Sequence, residues 1–431
     1  MDTLFLGTQP AVPPTRASLP FTDTIVVALL GLVFLVALDP FAMLLLTKGI
    51  GRWGPFFLAM PILAMAIYGR LYKRQVLLQP AVKELWSLLG PAVVFASWVL
   101  AGSLWGRWVR DNDHTFLPMG LFALVGGPVT AALVLTSAQP ERMLRAIAWT
   151  LYLLAAFTLG MTAIVKQDVA VFHSVEFLVF PVLAWPLLVS RHPVMLLLGL
   201  LGPIAAALAL DKLTGYLVML IVFAMLAAGL LRQRLKGLKS SLARVVVGYW
   251  AVLAALASLG LVVLTYYLAK GDLPSGNARY RLYTYGKAID RFQESPIWGQ
   301  LFASPPVERF ELFTVAAVTQ VLPTHNDSLD ILAHGGVIGA ALFFFGLGVV
   351  LFAALKALLD DQRFVSRPLL RAQLALHTMV VACAIPVFTL NPVLNTNNRA
   401  WSFWIHVALI VALVMISRRR PGFYPQTPAI R

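Results

Sequence analysis

The 431 residues are 59% hydrophobic and only 12% charged, a balance that excludes a water-soluble globular chain and points to a polytopic membrane protein. The net charge of +15 does not indicate nucleic acid, because Lys and Arg are scattered between apolar runs and build no single basic face. The one cysteine, Cys383, lies in an apolar run, which excludes a disulfide framework, a thiolate zinc site and a redox thiol pair and leaves a space-filling role.

In chain order, Met1 to Phe21 read as a short cytoplasmic tail: four prolines, one Arg and no small-residue cleavage site. Twelve apolar runs follow, each closed by polar, charged or Gly/Pro residues, as helix ends at a membrane surface require. They are Thr24 to Thr47, Trp53 to Tyr68, Leu89 to Trp105, Gly120 to Leu135, Ala146 to Val165, and Phe172 to Ser190. The second six are Val194 to Leu210, Gly215 to Leu230, Val245 to Leu268, Ile331 to Leu355, Leu374 to Leu390, and Trp401 to Ile416.

Basic residues orient these spans, since short loops retain Lys and Arg on the cytoplasmic side. With the N-terminus inside, 21 of the 34 basic residues fall inside and only 7 fall in short outer segments. The strongest anchor is the cluster Arg232, Arg234, Lys236, Lys239 and Arg244. Both termini are then cytoplasmic, with 1–23 and the basic 417–431 as tails, spans one to nine in 24–268 and spans ten to twelve in 331–416. Residues 269–330 become one long outer loop, the only extramembrane segment large enough to build a site.

That loop crowds Arg279, Arg281, Tyr285, Lys287 and Arg291 into a short stretch. A helix over Ala278 to Phe292 puts Arg281, Tyr285 and Ala288 on one face at i, i+4 and i+7. Guanidinium groups suit phosphate, donating two parallel hydrogen bonds and staying charged; a basic helix resting on anionic headgroups is the plainer reading. The loop ends in Pro323-Thr-His-Asn-Asp-Ser-Leu329, where His325 begins a helix beside Asn326 and Asp327. A neutral imidazole there can take a proton from a sugar hydroxyl, whereas His334, deeper in the same helix, reads as structural.

Metal is not expected, because the loop has no Asp-x-Asp and the chain no His-x-x-x-His or Glu-x-x-His. Asp111, Asp113 and His114 read as a solvated turn. No Gly-x-x-x-x-Gly-Lys phosphate loop is present, so ATP hydrolysis finds no support. Asp39 before Pro40 marks a kink or break in the first span, and Lys212 beside Asp211 falls at an outward turn near the long loop.

The combination resembles the O-antigen ligase and polymerase superfamily of bacterial inner-membrane glycosyltransferases. Its His-Asn-x-x-Leu and Gly-hydrophobic-hydrophobic-Gly pattern stands here as His325-Asn326-Asp327-Ser328-Leu329 and Gly336-Val-Ile-Gly339. Its earlier elements stand in order as Arg281, Tyr285, Ala288-Ile289 and Pro296-Ile-Trp-Gly299. Two departures exist: Asp211-Lys-Leu-Thr-Gly215 replaces the Ser-Arg-Gly of relatives, leaving Lys212 as the substitute, and the second Gly that follows Pro-x-x-Gly in relatives is absent.

The resemblance implies an all-α, GT-C-like membrane enzyme whose 269–330 loop is periplasmic and catalytic. It implies an undecaprenyl-pyrophosphate-linked glycan as donor and lipid A-core oligosaccharide as acceptor, with no cofactor. Arg281, helped by Arg279 and Lys212, would hold the departing pyrophosphate; His325 would orient or deprotonate the acceptor hydroxyl; Tyr285 and Asn326 would bind or orient substrate. O-antigen polymerase and protein O-oligosaccharyltransferase differ from this only in acceptor. A transporter or lipid-glycan flippase would instead place charges at mid-membrane depth in several helices, where Asp39 is nearly alone.

Overall fold

In the computed structural model the described residues are 19–38, 61–62, 64, 79–110, 116–137, 139–164, 175–210, 213–234, 276–304, 309–310, 320–321, 324, 326–364, 366–391, 393–395 and 397–418. The expected spans Trp53 to Tyr68 and Val245 to Leu268 lie wholly or largely outside them, as do Asp39, Asp111, Asp113 and His114.

The described parts of the other ten expected spans fall on helices. The first are α1 (Phe21–Leu38), α2 (Gln79–Val109), α3 (Leu117–Leu124), α4 (Thr130–Thr136) and α5 (Pro140–Ile164). A π turn at Val125–Val129 joins α3 to α4 and absorbs Pro128, which has no N–H to continue the α ladder. Then come α6 (Glu176–Leu183), α7 (Trp185–Val189), α8 (Pro193–Leu210) and α9 (Leu213–Arg234). The expected span Phe172 to Ser190 is thus two short helices, parted at Ala184 because the ring of Pro186 would meet the carbonyl four residues back. The 269–330 segment supplies α10 (Gly276–Glu294), followed by α11 (Asp327–Leu359), α12 (Pro368–Leu390) and α13 (Asn397–Arg418).

Among the described residues eight helical segments are long and apolar enough to cross a membrane, and Thr214–Gly229 within α9 is a shorter apolar helix. The fold is that of an all-α polytopic membrane protein. Among the described residues one two-residue antiparallel ladder, Arg309–Phe310 with Gln320–Val321, interrupts the helical pattern within 269–330.

The core is built around α13, which is apolar on every side and buried throughout 401–416, as a helix enclosed by other helices must be. Lipid tails are as apolar as Leu, so shape and ring packing hold such a core. Trp401 stacks on Phe122 with centroids 5.1 Å apart, and Trp404 meets Phe343 edge-on at 6.1 Å. Cys383 is buried in α12, consistent with space filling. By contrast α8 turns Leu197, Leu201 and Leu208 outward, as a peripheral helix facing lipid does.

The two ends of the bundle differ in chemistry. One gathers the short basic loops: Arg418 pairs with Glu84, Arg367 lies 3.5 Å from Glu141, and the Ser137 hydroxyl donates to Asp23 at 2.6 Å. The other collects the start of α11, the start of α13, the α12–α13 loop and the basic helix α10. This second end carries the expected site.

Candidate functional site

Helix α10 forms where helical spacing predicts it, and it is amphipathic. Thr284 and Ala288 are buried, Arg281 and Tyr285 half-buried, while Tyr283 and Ile289 are exposed. Spacing of three, four and seven residues puts the first four on one face, and α10 packs against α11. The Thr284 hydroxyl donates to its own helix at the Arg281 carbonyl, 3.1 Å, and lies 3.5 Å from the Thr324 carbonyl at the threshold of α11. Residue 281 and the segment next to residue 325 are therefore neighbours in space.

Two polar atoms of this face are buried without a hydrogen-bond partner among the described residues: Arg281 Nε and the Tyr285 hydroxyl. Each such atom costs about 1–3 kcal/mol unless something binds it. Burial pushes the Tyr285 pKa above its ordinary range, with a smaller raising effect from Asp330, while the Arg281 charge and the nearby Asn326 side chain pull it back. Tyr285 thus stays a neutral donor beside a permanent cation.

The start of α11 is a dense cap. Asn326 is extended (φ −148°), and its side-chain oxygen accepts from the Leu329 N–H at 3.1 Å, satisfying one orphan donor of the first turn. Thr324 braces it, accepting from the Asn326 N–H at 3.1 Å and donating to the Asn326 carbonyl at 3.0 Å. Asp327 reaches across to the α12–α13 loop, where one oxygen accepts from the N–H groups of Val393 and Leu394, both at 2.6 Å. Asn395 donates to Asp330 at 2.8 Å. The second oxygen of each Asp is buried with no hydrogen-bond partner among the described residues.

Arg399, in the first turn of α13, lies within electrostatic reach of both Asp327 and Glu176. Glu176 opens α6 and is fully buried, and it accepts from the Thr214 hydroxyl of α9 at 3.3 Å. The N-terminal turns of α6, α9, α11 and α13 are thereby tied together by one charged network.

About two helical turns deeper, α11 is broken. Gly336 adopts φ 60°, ψ −164°, a backbone state open to glycine and costly for other residues. The Pro296–Gly299 turn docks into the break. Val337 N–H donates to the Pro296 carbonyl at 2.8 Å and Ile338 N–H to the Ile297 carbonyl at 3.3 Å. In return Gln300 and Phe302 N–H groups donate to the Ala333 and His334 carbonyls at 3.3 and 2.9 Å. Backbone groups freed by the break are thus satisfied by the turn, as buried main chain must be. The two glycine elements of the sequence are halves of one joint. Just after this turn, Leu301 and Phe302 take left-handed φ of 53° and 55°. Phe302 is buried against Phe95, Trp98 and Phe116, which holds it in that state.

His334 sits at this joint, fully buried between Arg291, 3.3 Å from one ring nitrogen, and Ser304, 3.1 Å from the other. Its contacts are those of a structural histidine. The remaining expected site residues divide as follows: Arg281, Tyr285 and Asn326 come together; Arg279 lies in the first turn of α10, its side chain outside the described residues; Lys212 and His325 lie outside them. Their chain neighbours Thr214, Thr324 and Asn326 belong to the contacts above. Sequence reasoning passed over Glu176, Asp327, Asp330 and Arg399 as site members. The available signal was acidic or basic residues at the ends of three apolar runs, where a charge is costly unless partnered. Among the described residues no group of three or more His, Cys, Asp or Glu side chains stands close enough to hold a metal ion.

Fold and site together define a multi-pass helical membrane protein with a polar, guanidinium-bearing site at one end of its bundle. Residues 177–344 match the family model described as O-antigen ligase, which supports membership of the O-antigen ligase superfamily, a family of glycosyltransferase-like ligases and polymerases. The matched stretch runs from α6 through α10 and the glycine joint into α11. No curated protein matches the chain.

Proposed function

We propose that this protein is an O-antigen ligase that moves a glycan from undecaprenyl pyrophosphate to lipid A-core oligosaccharide at the periplasmic face of the bacterial inner membrane. The observation that carries this reading is the seating of the α10 cation face against the threshold of α11, with Thr284 3.5 Å from the Thr324 carbonyl.

In this reading the acceptor hydroxyl attacks the anomeric carbon as the bond from that carbon to the diphosphate oxygen breaks. His325 takes the hydroxyl proton, and the electron pair of the broken bond leaves on the lipid diphosphate. Charge grows on that leaving group, so preorganised cations stabilise the transition state more than the ground state. Arg281 is the principal such group, helped by Arg279 and Lys212, with the neutral Tyr285 hydroxyl as an added donor. The guanidinium groups then do what a divalent ion does in metal-dependent transferases. One-step displacement inverts the anomeric configuration. The donor is already activated, so ATP has no part.

Purified protein in nanodiscs, given lipid-diphosphate-linked glycan and lipid A-core without ATP and with a chelator, is expected to yield a larger glycolipid on a gel. Product from a second lipid-linked glycan and none from lipid A-core would make it a polymerase. Transfer undiminished in both His325→Ala and Arg281→Ala would refute the mechanism.

A further inference from the structure

Two imidazoles face each other in the middle of the bundle. His377 of α12 and His406 of α13 are both fully buried, with ring centroids 5.1 Å apart and planes crossing at 70°. Phe34 of α1 packs edge-on against His406 at 5.4 Å. Their depth follows from helix rise. The Arg367 guanidinium donates to the Ile416 carbonyl at 3.3 Å, which ties the start of α12 to the end of α13 at one level. His377 lies ten positions along α12 from Arg367, and His406 ten positions back along α13 from Ile416. Each is therefore about 15 Å from that level, half the thickness of a hydrocarbon layer.

Gln373 stands one turn from His377 on the same face of α12, and Ser402 one turn from His406 on the same face of α13. Because the two rings meet, these faces meet, and the four buried side chains form one polar seam between the helices. Five atoms of the seam are buried without a hydrogen-bond partner among the described residues: Gln373 Oε1, Ser402 Oγ, both ring nitrogens of His377, and Nε2 of His406. In hydrocarbon each such atom forfeits the hydrogen bond that solvent would supply, so five in one seam call for a polar ligand.

The ring protons select that ligand. His406 Nδ1 lies 2.9 Å from the Ser402 carbonyl, which only accepts, so Nδ1 carries the hydrogen and Nε2 of the neutral ring is a bare acceptor. Gln373 Oε1 is a second acceptor, and a neutral His377 offers one donor and one acceptor. The ligand must donate to some of these groups, accept from others, and fit between packed helices. Water does all three. An anion donates nothing to the bare acceptors, and a metal ion would find two imidazoles with no third His, Cys, Asp or Glu beside them among the described residues.

We propose that α12 and α13 clamp ordered water at the middle of the bilayer, with His377 and His406 as its principal partners and Gln373 and Ser402 continuing the site by a turn toward either end. Apolar packing alone selects weakly among helix registers in lipid, because tails and side chains are equally apolar; a shared water adds directional hydrogen bonds. The clamp fixes α13 against α12, and with them the loop whose Val393, Leu394 and Asn395 groups donate to Asp327 and Asp330. It uses none of the transfer residues and stands whether or not the ligase reading does.

The test is X-ray hydroxyl-radical footprinting of the full-length protein in nanodiscs in oxygen-18 water, read by peptide mass spectrometry. Radicals born from a bound water oxidise the side chains that hold it, however deep they lie. His377 and His406 should take up label several-fold faster than Phe343 and Phe388, rings equally buried among other rings. His377→Gln, which keeps a donor and an acceptor, should preserve the labelling of His406, and His377→Leu should abolish it. Wild-type histidines labelled no faster than those phenylalanines would reveal a dry seam and overturn the proposal without any variant having to fold. Undiminished labelling of His406 in His377→Leu would overturn the shared water, and stoichiometric zinc or copper lost in that variant would put a metal ion in its place.

Discussion

The joint between the Pro296–Gly299 turn and the break in α11 makes a sharp demand on Gly336. A Cβ added there by Gly336→Ala would lie 2.3 Å from the Ile297 carbonyl oxygen and 2.6 Å from the Gly299 nitrogen, both backbone atoms that cannot rotate away. Relief needs a shift of the turn by nearly an ångström. That would stretch Val337 N–H to Pro296 O and Ile338 N–H to Ile297 O beyond bonding range. Two buried hydrogen bonds at about 1 kcal/mol each, plus about 1–2 kcal/mol for forcing left-handed φ on Ala, give a loss of roughly 3–4 kcal/mol. Gly348→Ala is the matched control: it lies in the same helix, and its added Cβ meets nothing within 4 Å. Thermal unfolding in detergent, read by tryptophan fluorescence, should place Gly336→Ala well below wild type and Gly348→Ala at or slightly above it. Gly336→Ala should also lower transfer, since α10 follows the turn it is joined to. Equal melting of the two variants would refute the reasoning, because it would mean the joint bears no strain.

Other consequences follow from the same geometry. In the proposed reaction Arg281→Ala should cost transfer about 10- to 100-fold in kcat, the scale of one charge-assisted contact; Arg281→Lys should recover only part, because an ammonium cannot present a planar fork. Leu301→Gly should raise the melting temperature modestly, by about 0.5–1 kcal/mol of stability, since the residue is 49% exposed and strained at φ 53°. Tyr285 should titrate above its ordinary value of 10.0, visible as a late phenolate absorbance missing from Tyr285→Phe. Because the folded-state pKa is the higher one, the stability this group contributes is complete below that ordinary value and declines as pH rises through the folded pKa.

Much of the architecture was legible in the sequence because its signals are local. Run length found the helices of ten expected spans, a three-to-four spacing found the buried face of α10, and the same spacing joined Arg281 to Tyr285. What was not legible depends on contacts far apart in the chain. Nothing near Asp327 announces that Val393 and Leu394 will donate to it, and Arg399 looks like an ordinary interfacial residue until the fold brings it within electrostatic reach of Glu176, more than two hundred positions earlier. The two glycine elements were each visible, but their physical relation was not: the turn supplies hydrogen bonds that a broken helix lacks. The split of the expected span Phe172 to Ser190 was readable in Pro181 and Pro186, and hydropathy alone passed over it.

The central claim is spatial: the guanidinium at 281 and the imidazole at 325 share one site on the outer side of the membrane. It is tested most directly by paired cysteines at these two positions in a Cys383→Ala background, which leaves no other thiol in the chain. A membrane-impermeant bis-thiosulfonate of about 8 Å reach, applied to intact spheroplasts, should link Arg281→Cys to His325→Cys and stop transfer, with release by reductant. Single labelling of each position without a link, or labelling of one only after the membrane is opened, would contradict the account.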